Sequence, residues 1–247
     1  MPISTPLVQG APFRIISAIS EAFNISSLNI FEAGPGLGYL GAMLIKSEHK
    51  YISFDVTQGM YIWQNHLFNT ISNNITELVS ATNIPNLIDN QFIHLPWWHY
   101  VNLDISNIQA PVDIFYSNSN LCEMSLYSLR MLLEKSKNLM QDSKIGLFFY
   151  MGTGYPGQIS VDMLNEEFLS AGYIKIEGLP FNAYSLNPIN LENKLNNIFS
   201  DGVPFYNPSK NISRIDARML TALKKSEAPL DVADTSWFYG WIPPFID

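Results

Sequence analysis

Ile30-Phe31-Glu32-Ala33-Gly34-Pro35-Gly36-Leu37-Gly38 is the stretch on which the reading of this 247-residue chain turns. A short apolar run over residues 28–33 ends in an acid and a Gly-rich turn, and helix-favouring residues resume over 39–47. The segment therefore reads as strand, turn, helix. Glycines let such a turn pass through left-handed conformations and let a ligand approach the backbone, while the helix start offers unpaired N–H groups. Those groups suit a carboxylate or a phosphate. A second strand follows at Tyr51-Ile52-Ser53-Phe54-Asp55, and a second helix over 58–71 carries Met60, Ile62, Trp63, Leu67 and Phe68. An acid ending the second strand of such a βαβ unit lies where a ribose would sit, and its carboxylate can accept two hydroxyl hydrogen bonds. Asp55 is that acid, with Val56 beside it.

Outward from this unit the alternation continues. Strands are predicted over 91–95, 112–117, 144–150 and 173–179, with helices over 123–140 and 160–171 between the later ones. Upstream, Phe13, Ile16, Ile19, Ala22 and Phe23 predict an amphipathic helix over 12–24, within an N-terminal helical extension of residues 1–27. Such alternation implies a mostly parallel sheet with helices on both faces, and ligands gather at the carboxyl ends of its strands. Asn and Pro are scattered through residues 182–208, so 180–235 is expected to be an insertion or lid within one domain spanning 1–247. The aromatic tail over 237–242 is expected to return as an edge strand.

Composition narrows the partners. With 47% hydrophobic and 15% charged residues, the chain can build a sizeable core. Fourteen basic against 22 acidic residues give a net charge of −8, which disfavours nucleic acid and anionic membrane surfaces and favours a small, neutral partner. No apolar run approaches the roughly 18–20 residues that span a bilayer. One cysteine, Cys122, excludes an internal disulfide, and Met1 to Thr5 lack a basic leader before an apolar stretch. The expectation is a cytoplasmic protein, in which the sequons at Asn24, Asn74 and Asn211 carry no glycan.

Two cofactors compete for the loop, because Gly36-Leu37-Gly38-Tyr39-Leu40-Gly41 also satisfies the dinucleotide pattern G-x-G-x-x-G. That register starts four residues after Glu32 and leaves the acid unexplained; E-x-G-x-G-x-G accounts for it. Residues 30–38 resemble motif I of class I S-adenosylmethionine-dependent methyltransferases, and 51–55 their second strand with its ribose-binding acid. The resemblance implies a Rossmann-like α/β fold with a central, mostly parallel seven-stranded sheet. It further implies S-adenosyl-L-methionine as cofactor, with S-adenosyl-L-homocysteine as product. Glu32 would lie beside the amino end of the methionine moiety, Gly34, Gly36 and Gly38 would line its approach, and Asp55, Val56 and Asn118 would complete the site. A narrower likeness, over about residues 28–155, is to the sugar O-methyltransferase family of bacterial polysaccharide gene clusters. It is carried by residues 51–56, by Tyr61-Ile62-Trp63-Gln64 and by the run from Val112 to Met124; Cys122 and Trp97-Trp98-His99 depart from it. By that likeness the acceptor is a sugar or glycan hydroxyl. A nicotinamide-dependent oxidoreductase and a non-catalytic methyltransferase-like partner protein stand as alternatives.

A hydroxyl acceptor benefits from a base near the methyl group. Asn118, Ser119, Asn120 and Glu123 follow the fourth strand, and Glu123 is the first candidate, against the alternative that it only complements a helix dipole. His94 and His99 follow the third strand with a suitable unperturbed pKa, although a structural histidine is the commoner outcome. The histidines and the cysteine have no metal-ligand spacing, and no required metal is expected; Asp104 and Asp113 leave carboxylate-only magnesium binding open. Cys122 reads as a buried thiol. Trp97, Trp98, Tyr100, Tyr155 and Tyr184 suit either sugar stacking or the core.

Overall fold

The computed structural model describes residues 4–84, 87, 90–152, 159–189 and 191–200. In chain order, helix α1 (Ser4–Phe23) leads to strand β1 (Asn29–Ala33), helix α2 (Tyr39–Leu44), β2 (Lys50–Asp55), α3 (Gln58–Ile71) and the short β3 (Thr76–Glu77). Next come β4 (Phe92–Pro96), α4 (Trp97–Asn102), α5 (Ile105–Ile108), β5 (Ile114–Asn118), a 3₁₀ turn (Leu121–Glu123) and α6 (Leu126–Met140). The described residues continue with β6 (Leu147–Met151), α7 (Val161–Ser170), β7 (Ile174–Ile176), β8 (Asn182–Ser185) and α8 (Leu191–Phe199). The strands form one sheet in the order β3-β4-β2-β1-β5-β6-β8-β7. All neighbours run parallel except β8, which is antiparallel to both β6 and β7.

The expected α/β fold, a mostly parallel sheet with helices on both faces, is present, with eight strands among the described residues where seven were expected. One unexpected strand is β3, whose two residues are too few for any periodicity to register. A second difference lies at Asn182–Ser185, inside the stretch from 180 expected to be an insertion or lid. These residues are the strand between β6 and β7, pairing Phe149 with Ala183 and Phe148 with Tyr184. Alternation in Asn-Ala-Tyr-Ser is weak, and the burial that selects a strand there comes from its neighbours. The edge strand expected over 237–242 lies outside the described residues. Helix α1 starts at Ser4 and continues through Pro12, which costs one backbone hydrogen bond without ending the helix. Among the described residues, no helix is long and apolar enough to cross a membrane.

Strand side chains alternate between faces, so each strand contributes to two cores. On one face Phe31, Phe54, Tyr100, Phe115 and Phe148 pack with Leu129 and Leu133 of α6 and Phe168 of α7. On the other Ile30, Ile114 and Leu147 meet Ile15, Ile16 and Ile19 of α1, Leu40 and Leu44 of α2, and Leu195 and Phe199 of α8. Phe31, in the central strand, stacks on Phe115 at 4.8 Å between ring centroids, with the planes 8° apart. Offset stacking of this kind adds about 1 kcal/mol to the burial itself. Phe31→Ala is expected to cost about 3–5 kcal/mol through the cavity it leaves. Urea unfolding followed by circular dichroism should show a lowered midpoint at unchanged slope.

Candidate functional site

Chain order reverses across the centre of the sheet: after β1 the chain builds outward on the β2 side, then returns to add β5 on the other. The switch point lies between the carboxyl ends of β1 and β5, the position where open α/β sheets bind ligands. Register brings the site residues to it. Glu32 pairs with Ser53 on one side and Tyr116 on the other, while Ala33 pairs with Phe54 and with Ser117. Ser53 in turn pairs with His94, and His94 with Glu77. A polar row thus crosses five strands, Glu77-His94-Ser53-Glu32-Tyr116, on the face covered by α1, α2 and α3.

Glu32 is fully buried. Its Oε2 accepts a hydrogen bond from Tyr51 Oη, whereas Oε1, like Ser53 Oγ and Tyr116 Oη, has no partner among the described residues. Burial is the main reason the Glu32 carboxyl is raised from 4.5 to about 8; the Tyr51 hydrogen bond opposes the shift and the nearby Asp55 charge adds to it.

The loop leaves β1 through three residues of positive φ, Gly34 at 67°, Gly36 at 56° and Gly38 at 76°. Gly34 is needed for space as well: a Cβ there would overlap the Asn120 carboxamide, whose Nδ2 donates to the Ala33 carbonyl at 2.9 Å while its Oδ1 accepts from Ser117. The end of β5 is thereby tied across the start of the loop. Nothing lies within 4 Å of where a Gly36 Cβ would be, so its backbone faces open space. Gly38 is the residue at which α2 begins, against the Phe68 ring and Gln64.

Asp55 ends β2 nearly buried. Its Oδ1 accepts from Thr57 N at 2.8 Å and its Oδ2 from Gln64 Nε2 at 2.9 Å, which leaves acceptor capacity on both oxygens. Val56, next in the chain, is 71% exposed. Asn118 is half-buried at the end of β5 and accepts from Ser119 Oγ at 3.2 Å; Ser119 itself adopts a left-handed φ of 54°. Glu123 is exposed in the 3₁₀ turn. It does not open α6 as expected, because Ser125 caps that helix by accepting from Ser128 N at 3.1 Å.

The two histidines are not at the cleft. His94 is fully buried, both ring nitrogens are engaged by the side chains of Asn65 and Gln64, and desolvation lowers its pKa to about 3. His99 is buried in α4 with Nε2 2.9 Å from the Ala81 carbonyl, where it ties down the segment after β3. Both rings are thus buried and engaged by protein partners. Asp104 caps α5, and Asp113, at the amino end of β5, accepts from Asn29 N and Ser143 Oγ. Among the described residues no three His, Cys, Asp or Glu side chains are grouped to hold a metal ion. Cys122 is buried. Of the aromatics, Tyr100 and Tyr184 are core residues, Trp97 and Trp98 stand 49% and 41% exposed just beyond β4, and Tyr155 lies outside the described residues.

Gln64 is the site residue whose role the sequence did not disclose. Its signal was positional: in α3 the buried residues are Tyr61, Gln64 and Phe68, so an amide occupies an otherwise aromatic stripe.

No protein-family model matches the chain, and no curated protein matches it in sequence. Its fold is shared with solved structures at low identity. A TehB-like SAM-dependent methyltransferase from Corynebacterium glutamicum superposes with a TM-score of 0.50 at 13% identity, over 71% of this chain and 86% of that one. The magnesium protoporphyrin IX methyltransferase of Synechocystis, solved with bound SAM, gives 0.49 at 12% identity over 74% and 79%. A SAM-dependent methyltransferase from Aquifex aeolicus gives 0.42 at 14% over 68% and 85%. The first of these shows that the chain shares its Rossmann-like α/β fold.

Ionisation of Glu32 sets a pH dependence. Between about 4.5 and about 8 the folded carboxyl keeps a proton that the unfolded chain has lost. Its contribution to stability is therefore whole below 4.5, falls as pH rises by about 1.4 kcal/mol per unit, and levels off above 8. Glu32→Gln is expected to flatten that slope and to raise stability at pH 7 by about 2–3 kcal/mol. Denaturant titrations of both proteins across pH 5 to 8 measure it.

Proposed function

We propose that this chain is an S-adenosylmethionine-dependent methyltransferase that methylates a hydroxyl of a sugar or glycan. One observation carries the cofactor: a left-handed glycine loop runs between a buried carboxyl with an unpaired oxygen and a second carboxylate pre-oriented by two donors. The pieces fit the molecule. Glu32 Oε1 answers to an ammonium donor, Asp55 to the two ribose hydroxyls, and the open side of Gly36 to a chain passing close to the backbone. A pyrophosphate fits less well, since it would meet two acidic side chains, and α2, with six residues, has little dipole to offer.

When bound, S-adenosylmethionine supplies an activated methyl group on a positively charged sulfur. Residues of this chain then have to bind, orient and exclude water. Asn118, at the end of β5, and Glu123, in the 3₁₀ turn that follows, stand on the acceptor side, and Glu123 is the group to orient or deprotonate the hydroxyl. The carbohydrate acceptor rests on the resemblance over residues 28–155; exposed Trp97 and Trp98 offer faces for a planar or sugar ring.

Isothermal titration is expected to show stoichiometric binding of S-adenosylhomocysteine, weakened about tenfold or more by Asp55→Ala. A thermal shift with NAD(P) and none with S-adenosylmethionine would instead make the chain an oxidoreductase. With an acceptor found by mass spectrometry from a panel of sugar nucleotides and glycans, Glu123→Gln should lower kcat by about 10²-fold at unchanged cofactor affinity. Equal kcat in the two proteins removes Glu123 from the chemistry.

A further inference from the structure

We infer that Gln64 is a positioning residue that locks the glycine loop and the Asp55 carboxylate into one unit, and so sets how tightly the adenosine half of the cofactor is held. The inference rests on the cofactor reading above. Gln64 is fully buried, and its carboxamide nitrogen spends both hydrogens on the site: one on the Gly36 carbonyl at 2.6 Å, the other on Asp55 Oδ2 at 2.9 Å. Those two acceptors come from different βα connections, and Gln64 links them directly.

The direction of the amide is itself determined. Because the nitrogen is a double donor, Oε1 faces His94 Nε2, at 2.7 Å, and must accept from it. His94 therefore carries its proton on Nε2. Its Nδ1 lies 2.6 Å from Asn65 Oδ1, so a carboxamide faces each ring nitrogen. Desolvation keeps this ring neutral, and Tyr61 stacks on it at 4.1 Å while Phe68 packs against it at 5.5 Å, so the ring is held in place. The chain of donors runs one way, from His94 through Gln64 to the loop and to Asp55. A second α3 side chain, Trp63, donates from Nε1 to the neighbouring Leu37 carbonyl at 3.3 Å.

The consequence for a ligand follows from lone-pair counting. Thr57 N and Gln64 each take one acceptor position of Asp55, and the remaining positions, one on each oxygen, form the fork that two vicinal hydroxyls require. Without Gln64 the carboxylate loses its inner restraint, and the Gly36 carbonyl loses its partner.

The test uses the whole protein and two readouts. Gln64→Met keeps the volume and removes both donors. Hydrogen–deuterium exchange without ligand should become faster in the peptide covering residues 34–38 of this variant, with the sheet strands unchanged. Titration with S-adenosylhomocysteine should show affinity about tenfold lower. In the Asp55→Asn background the same substitution should cost less than about twofold more, because the two residues act as one unit. Should Gln64→Met not fold, His94→Phe keeps the ring stacking, removes the proton that orients Gln64, and is expected to give the same exchange signature. Unchanged loop exchange, or losses that simply add in the double variant, overturns the inference while leaving the cofactor reading intact. Faster loop exchange in a protein that binds no S-adenosylhomocysteine at all overturns the cofactor reading, and with it the cofactor role of Gln64.

Discussion

Everything at the carboxyl edge of this sheet depends on the parallel pairing of β1 with β2 on one side and β5 on the other. Because β1 is central and covered on both faces, its residues cannot turn to solvent, and Glu32 must share the row of Ser53 and Tyr116. A slip of one residue would exchange the faces of Phe31 and Glu32, placing a carboxyl in the aromatic stack with Phe115 and an aromatic ring in the polar row. The hydrophobic cost of that exchange fixes the register, and the register fixes the distance between the glycine loop, Asp55 and the end of β5.

Polar groups inside this register are arranged as a connected system instead of isolated exceptions. Tyr51 serves Glu32, Gln64 serves Asp55 and Gly36, and His94 serves Gln64, each from a strand or helix packed against the same face. Low local dielectric strengthens such bonds and penalises their loss, so the network favours one geometry of the site before a ligand arrives. The unpaired oxygens of Glu32, Ser53 and Tyr116 mark where the network is open.

Much of the fold was legible because its strands are short apolar runs separated by amphipathic helices, a pattern that a parallel sheet imposes by burying both strand faces. Legibility failed where local composition was silent. Thr76–Glu77 is too short to show a period, and Asn182–Ser185 looks like loop sequence until β6 and β7 close on it. The candidate site divides in the same way. Glycines, Glu32 and Asp55 announce themselves because backbone conformation and strand-end position demand those residue types. His94 and His99 misled, since a histidine after a strand has the right chemistry for catalysis, yet here both rings face inward and hold structure.

By itself the sequence determined the alternation of strand and helix, the left-handed loop at Gly34, Gly36 and Gly38, and the acids that bracket it. Each of these is a local demand, of periodicity, of a missing Cβ or of a strand end, and local demands are written in consecutive residues. Tertiary structure alone decided that Glu32 is buried with one oxygen unpaired, that Asn120 closes over Gly34, and that His94 reaches the loop only through Gln64. Those facts join residues 28 or more positions apart, and 86 in the case of Gly34 and Asn120, and only the sheet's register and the packing of α3 bring them within hydrogen-bonding distance.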